Sequence, residues 1–168
     1  MKWVIEITPT PAPRTTQKIV KLLKIPEGKR RISKQLETKV RQLKRYLSYK
    51  TNLQMLASLA GVCLANGMSI TFYMPMPKSW SKNKKANYKG TPHEQTPDLD
   101  NFYKAFADAL LRQDSKIYKL NGLAKYWSPD INDRIGEVEI IDDSYAGATK
   151  VVTKEGKVIT LSRYFNNK

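Results

Sequence analysis

The chain predicts an α/β (α+β) fold: one domain with a small mixed sheet of about four strands, packed with two or more helices and followed by a C-terminal hairpin. Three observations lead there. Short stretches rich in alternating or β-branched residues, at 2–7, 68–74, 116–127 and 135–141, are separated by stretches with helical spacing. The 168 residues suffice for one domain with a real core. Residues 151–153 and 158–161 flank Lys154-Glu155-Gly156-Lys157, a turn sequence between two apolar runs.

Residues 2–7 read as a strand ended by Pro9, Pro11 and Pro13. Proline density makes 8–17 an irregular loop presenting Arg14 and Gln17. Ile19, Val20, Leu22 and Leu23 predict a short helix closed by Pro26-Glu27-Gly28. A basic helical region follows from about 32 to 64, with Leu36, Val40, Leu43 and Leu47 as its buried stripe and a break expected at Thr51-Asn52. Its outward residues Arg41, Lys44, Arg45 and Lys50 read as a solvated cationic face in preference to a direct DNA contact. Residues 68–74 alternate after Asn66-Gly67 and predict a second strand. A third strand spans 116–127, interrupted near Asn121-Gly122, and a fourth spans 135–141 after a turn-rich loop. The terminal hairpin either adds to the sheet or mediates a contact.

Composition speaks to partners. Lys and Arg number 30 against 15 Asp and Glu, a formal net charge of +15. Polyanions, nucleic acid first, are the expected partners. No apolar basic helix of the interfacial type stands out, and the longest apolar run is too short to span a bilayer. The single cysteine, Cys63, lies in the apolar run 60–65, so it is expected to be a buried, inert thiol. With no disulfide and no signal-like start, the chain is expected to stay in the reducing cytoplasm.

The stretch 96–110 is chemically the densest. Within eleven positions it holds Asp98, Asp100, Asn101, Lys104 and Asp108, in a chain otherwise short of acid. Leu99, Phe102, Tyr103, Phe106 and Leu110 recur at helical spacing, leaving Asp100, Lys104 and Asp108 on the other face. Thr96 or Asp98 can cap this helix, with Pro97 in its first turn. Asp98 and Asp100 are two apart. If the chain enters the helix from extended backbone, both carboxylates share a face and suit a hard divalent cation such as Mg²⁺. The alternative is that they only cap the helix and complement its dipole. Asp108 is either a group behind the metal site or the i,i+4 ion-pair partner of Lys104, and the spacing favours the ion pair.

Just upstream, Lys78, Lys82, Lys84, Lys85 and Lys89 interleave with Trp80 and Tyr88 in what reads as a loop. That combination suits a surface that follows a nucleic-acid backbone and stacks bases; a disordered lysine loop has the same composition. His93 is the only histidine, and with no second His or Cys ligand a zinc site is not expected. It either approaches a phosphate or the metal site, or holds a hydrogen-bonded structural position.

Taken in order, Phe72-Tyr73-Met74-Pro75-Met76-Pro77-Lys78-Ser79-Trp80-Ser81, Gly90-Thr91-Pro92-His93, Pro97-Asp98-Leu99-Asp100-Asn101 with Lys104 and Asp108-Ala109-Leu110, and Asp114-Ser115-Lys116-Ile117 resemble the RusA-type crossover-junction endodeoxyribonucleases. The stretch from Pro11 to Gln17 is similar to the proline-rich segment of phage and prophage members. The resemblance covers roughly 1–141, so 142–168 is expected to be an extension, and the insertion at 18–31 also lies outside the common core. It implies a small α/β homodimer that binds four-way DNA junctions and nicks two strands symmetrically in recombination and repair, using Mg²⁺ or Mn²⁺ and no organic cofactor. It further implies an acidic triad of Asp98, Asp100 and Asp114 as metal ligands, with Lys104 as the catalytic lysine. Arg14, Lys78, Trp80, Lys82, Lys84, Lys85 and Lys89 are the expected DNA contacts, and His93, Asn101 and Asp108 are candidate outer neighbours of the metal. One departure stands out: members of the family often carry two acids in a row where this chain has Gln113-Asp114.

Overall fold

The computed structural model describes residues 1–29, 31–112, 114–144 and 149–161, the Asp114 side chain excepted. Its strands are β1 (Lys2–Glu6), β2 (Ser69–Met74), β3 (Gly122–Trp127), β4 (Glu137–Ile141), β5 (Thr149–Val152) and β6 (Val158–Leu161). All six form one mixed sheet in the order β3-β2-β4-β1-β5-β6. β4 runs antiparallel to both β1 and β2, whereas β1–β5 and β2–β3 are parallel. The expected class is therefore observed. The sheet has six strands instead of about four because the terminal hairpin joins it through β5.

Register explains the core. Side chains opposite one another on neighbouring strands share a face, and two apolar rows cross the sheet. One runs Leu123, Ile70, Ile140, Trp3; the other runs Phe72, Val138, Ile5, Val152. Apart from Leu123, every residue of these rows is buried. The second row ends on the edge strand β3 at Lys125, opposite Phe72.

Among the described residues four α-helices complete the fold: α1 (Gln17–Leu23), α2 (Lys34–Ala60), α3 (Lys82–Tyr88) and α4 (Leu99–Leu110). α4 covers the sheet with Phe102, Ala105, Phe106 and Ala109, and the rings of Phe102 and Phe106 lie 5.8 and 6.0 Å from Phe72. α2 begins at Ser33, whose hydroxyl accepts from the Leu36 amide, and ends at Gly61 with φ +68°. No break occurs at Thr51-Asn52, because both side chains point to solvent and leave the backbone ladder intact. The buried stripe of α2 differs from expectation beyond Leu43. Val40 and Leu43 pack with Ile19 of α1 in a small second core, while Tyr49, Leu53, Leu56, Ala57 and Ala60 pack on the sheet. At 3.6 residues per turn Leu53 lies about 80° round the helix from Leu43; Leu47 stays on the side of Val40 and Leu43, one turn beyond the small second core, and is exposed.

Other expectations shift locally. Cys63 is exposed, since it lies past Gly61 in the connection to β2 and not in the core. The third strand starts at Gly122 instead of Lys116; a 3-10 turn occupies Asp114–Lys116, and the Asn66 side chain holds the following loop through Lys116 O, Tyr118 N and Lys119 N. The lysine-rich loop contains α3, capped by Ser81 accepting from the Lys84 amide. Among the described residues no helix is long and apolar enough to cross a membrane.

Gly136, just before β4, is packed without room for a side chain. A Cβ there would lie 2.4 Å from the Tyr73 carbonyl oxygen and 2.6 Å from Pro9 Cδ. Gly136→Ala should therefore cost about 1–3 kcal/mol, read as a lowered denaturation midpoint in urea with an unchanged slope.

Candidate nuclease site

Lys125 opens the site. Its ammonium donates to the carbonyl oxygens of Gln95 and Pro97, each at 2.7 Å, and lies 5.6 Å from the Phe102 ring centre. Burial lowers its pKa from the ordinary lysine value, and the negative charge of Asp98 opposes that shift. The anchored segment leads into α4 through Asp98, the N-cap residue, with extended backbone (φ −66°, ψ 156°). The chain thus passes from extended to helical between Asp98 and Asp100, as the Asp-x-Asp spacing requires. Pro97 lies just outside the helix and not in its first turn.

The Asp98 carboxylate makes no capping bond to the helix, and it has no hydrogen-bond partner among the described residues. Asp100, in the first turn, is exposed and among the described residues is reached only by Asn101 Nδ2, at 3.5 Å. Capping thus leaves Asp98 unexplained. Both carboxylates sit at the positive end of a helix dipole, with hard oxygen donors suited to Mg²⁺ or a similar ion. The donor chemistry fits a divalent cation.

The third expected ligand is Asp114. α4 has 12 residues and is about 18 Å long at 1.5 Å per residue. The Asp114 backbone follows its far end, and the Asp114 side chain lies outside the described residues. Among the described residues no group of three His, Cys, Asp or Glu side chains gathers to hold a metal.

Beside the acidic end of α4, the proline-rich segment crosses the helix, its Ala12 amide donating to the Asn101 carbonyl at 3.0 Å. Between them is a cleft of about 310 Å³ bounded by Arg14, Tyr46, Asn101, Lys104 and Asp108. A second groove of about 540 Å³ shares Arg14 and Asn101 and continues along Gln42 and Arg45. Arg14 and Lys104 are both exposed. Asp108 does not pair with Lys104; its Oδ2 accepts from the Tyr46 hydroxyl at 3.3 Å. Burial, then the Asp108 charge, raises the Tyr46 pKa above its ordinary value. The reason is geometric: α2 brings Tyr46 across to α4, offering Asp108 a half-buried donor in place of a solvated lysine.

The lysine-rich stretch is ordered by aromatic packing. The Trp80 ring lies 5.0 Å from Tyr88 and 4.9 Å from Trp127, and Lys84 Nζ sits 4.4 Å over Trp80. Lys82, Lys84 and Lys89 are exposed, while Lys78 and Lys85 border a cleft of about 480 Å³ with Arg134 from the β3–β4 loop. Trp80 is therefore engaged in holding α3 against β3, with only part of its surface left for stacking. His93 is buried against Trp127 at 4.2 Å, and its Nδ1 has no hydrogen-bond partner among the described residues. Burial first, then the Lys125 charge, lowers its pKa from the ordinary histidine value.

Lys125, Arg134 and Tyr46 are the functional candidates that sequence reasoning missed. Only Lys125 left a trace: alternation along β3 puts it on the same face as Leu123, an inward position where a lysine is out of place.

Among curated proteins no significant match to the chain is found. A family model described as Endodeoxyribonuclease RusA matches residues 7–130, which include the acidic motif, the lysine-rich segment and the Asp114 turn. With its six-stranded sheet, its acidic helix start and its basic cleft, this chain belongs to the RusA family of crossover-junction endodeoxyribonucleases.

Proposed function

We propose that this chain is a divalent-metal-dependent endonuclease that resolves four-way DNA junctions by paired, symmetric nicks. The observation carrying this reading is the Asp98 carboxylate, left unspent by the helix it caps and followed by Asp100, on a helix whose Asn101 and Lys104 line a cleft with Arg14. Asp98 and Asp100 would hold the ion, Mg²⁺ by preference and Mn²⁺ in substitution. When bound, such an ion lowers the pKa of water, polarises the phosphoryl group and offsets charge on the non-bridging oxygens. Lys104, one turn beyond Asp100, offers a cation to the same oxygens. Arg14 faces it across the cleft and binds the adjoining phosphate. Asp108 holds the Tyr46 wall in place.

Asp114 is the third carboxylate in this reading. Paired nicks need two such sites, and a C2 homodimer is the assembly that provides them. It supplies two sites for two nicks, one on each subunit. Lys78, Lys82, Lys84, Lys85 and Lys89 grip the junction arms through phosphates, so selectivity comes from branch shape more than base identity. A phage or prophage setting, acting on DNA inside the cell, agrees with the proline-rich segment.

Cleavage rates on a mobile four-way junction, a flap and a plain duplex at matched salt, each with and without EDTA, test the proposal. Junction cleavage should exceed the others and vanish with EDTA. Equal rates on duplex, or cleavage that survives the chelator, would refute it.

A further inference from the structure

We propose that Lys125 is a positioning residue for the acidic motif: by holding the carbonyls on either side of Thr96, it fixes where Asp98 stands at the start of α4. This rests on reading Asp98 as a metal ligand. Lys125 ends a row of otherwise buried apolar residues, opposite Phe72, so its stem is held on the inward face of the sheet beneath α4. An ammonium there is costly unless its donors are satisfied. Two carbonyls satisfy it, Gln95 O and Pro97 O, both at 2.7 Å, the short distance of charge-assisted bonds. These acceptors belong to the residues immediately before Asp98, one of them adjoining it. The clamp therefore acts on the last free backbone before the helix, leaving the Asp98 carboxylate itself unbonded. The other end of the same segment is pinned to the sheet independently, through the His93 amide to Lys125 O and the Trp127 amide to Thr91 O, both at 2.9 Å. The far side of α4's first turn is held by Ala12 at Asn101 O. Between those two anchors the Lys125 side chain bonds the backbone at both 95 and 97, and the His93 ring also interacts with the Gln95 backbone.

Charge and position predict opposite outcomes, which makes the assignment testable. Removing a cation beside Asp98 tightens cation binding by electrostatics alone, whereas freeing the segment weakens it. Lys125→Met keeps the apolar stem and loses the donors. Its dissociation constant for Mn²⁺, measured on the full chain by electron paramagnetic resonance, should rise at least about tenfold, the range seen when groups supporting metal ligands are lost. Junction affinity in EDTA should stay within about twofold, and Lys125→Arg should recover most of the Mn²⁺ affinity. Amide hydrogen exchange over 95–101, which needs no metal, should quicken in Lys125→Met and in Lys125→Gln. Unchanged exchange in both variants, or Mn²⁺ binding as tight as wild type or tighter in Lys125→Met, overturns the assignment alone. Equal Mn²⁺ binding by wild type and Asp98→Asn overturns the metal reading and the assignment with it.

Discussion

Asp98→Asn should bind a four-way junction as tightly as wild type and cut it about 10³-fold more slowly or worse. The substitution keeps size and N-cap preference, since Asn caps a helix as well as Asp does, so α4 should start where it does now. What disappears is one full negative charge among hard oxygen donors. Several kcal/mol of transition-state stabilisation depend on an ion held there, and about 4 kcal/mol is a thousandfold in rate. Binding should persist because the acids repel phosphate and the attraction comes from Arg14 and the lysines around α3. Gel-shift affinity in EDTA and single-turnover cleavage in Mg²⁺ separate the two quantities. Cleavage by the variant at the wild-type rate would remove Asp98 from the chemistry.

The second large effect concerns salt. If six or more phosphates are contacted, junction affinity should fall about 10³-fold or more between 50 and 200 mM salt. Replacing Lys82, Lys84 and Lys85 together by Gln should flatten the log–log slope by about 2.7, at 0.9 for each lost phosphate contact. All three belong to α3, which Trp80 packs against β3 through Trp127. They should therefore act as one rigid basic surface, and not as independent tethers. Salt titration of junction binding by wild type and the triple variant reads the slope directly. An unchanged slope would place the DNA track away from α3.

The strands and helices that bury one clear face were legible from their periodicity. Alternation in β1, β2 and β4 matches their buried residues, and Phe102 and Phe106 occupy the inward stripe of α4 as their spacing predicts. What escaped was set by partners distant in sequence. Nothing local says that β5 lies beside β1, or that α2 turns a different face to α1 than to the sheet. Leu47 looks like core to any reading that assumes one stripe. The same applies to the site. The carboxylates and Lys104 announce themselves by spacing, but Tyr46 meets Asp108 only because α2 and α4 pack together. Asp114 was read from its motif alone, and its side chain lies outside the described residues.

The place of β1 in the sheet bears on how the molecule is made. It lies between β4 and β5, with Lys2 opposite both Ile141 and Thr149. β1 thus finds its neighbours only after the long stretch that separates it from β4 and β5 has been synthesised. Such distant closures are slow. The proline-rich wall of the cleft hangs directly from β1, so its seating against α4 is tied to a sheet that closes only with residues 137–152.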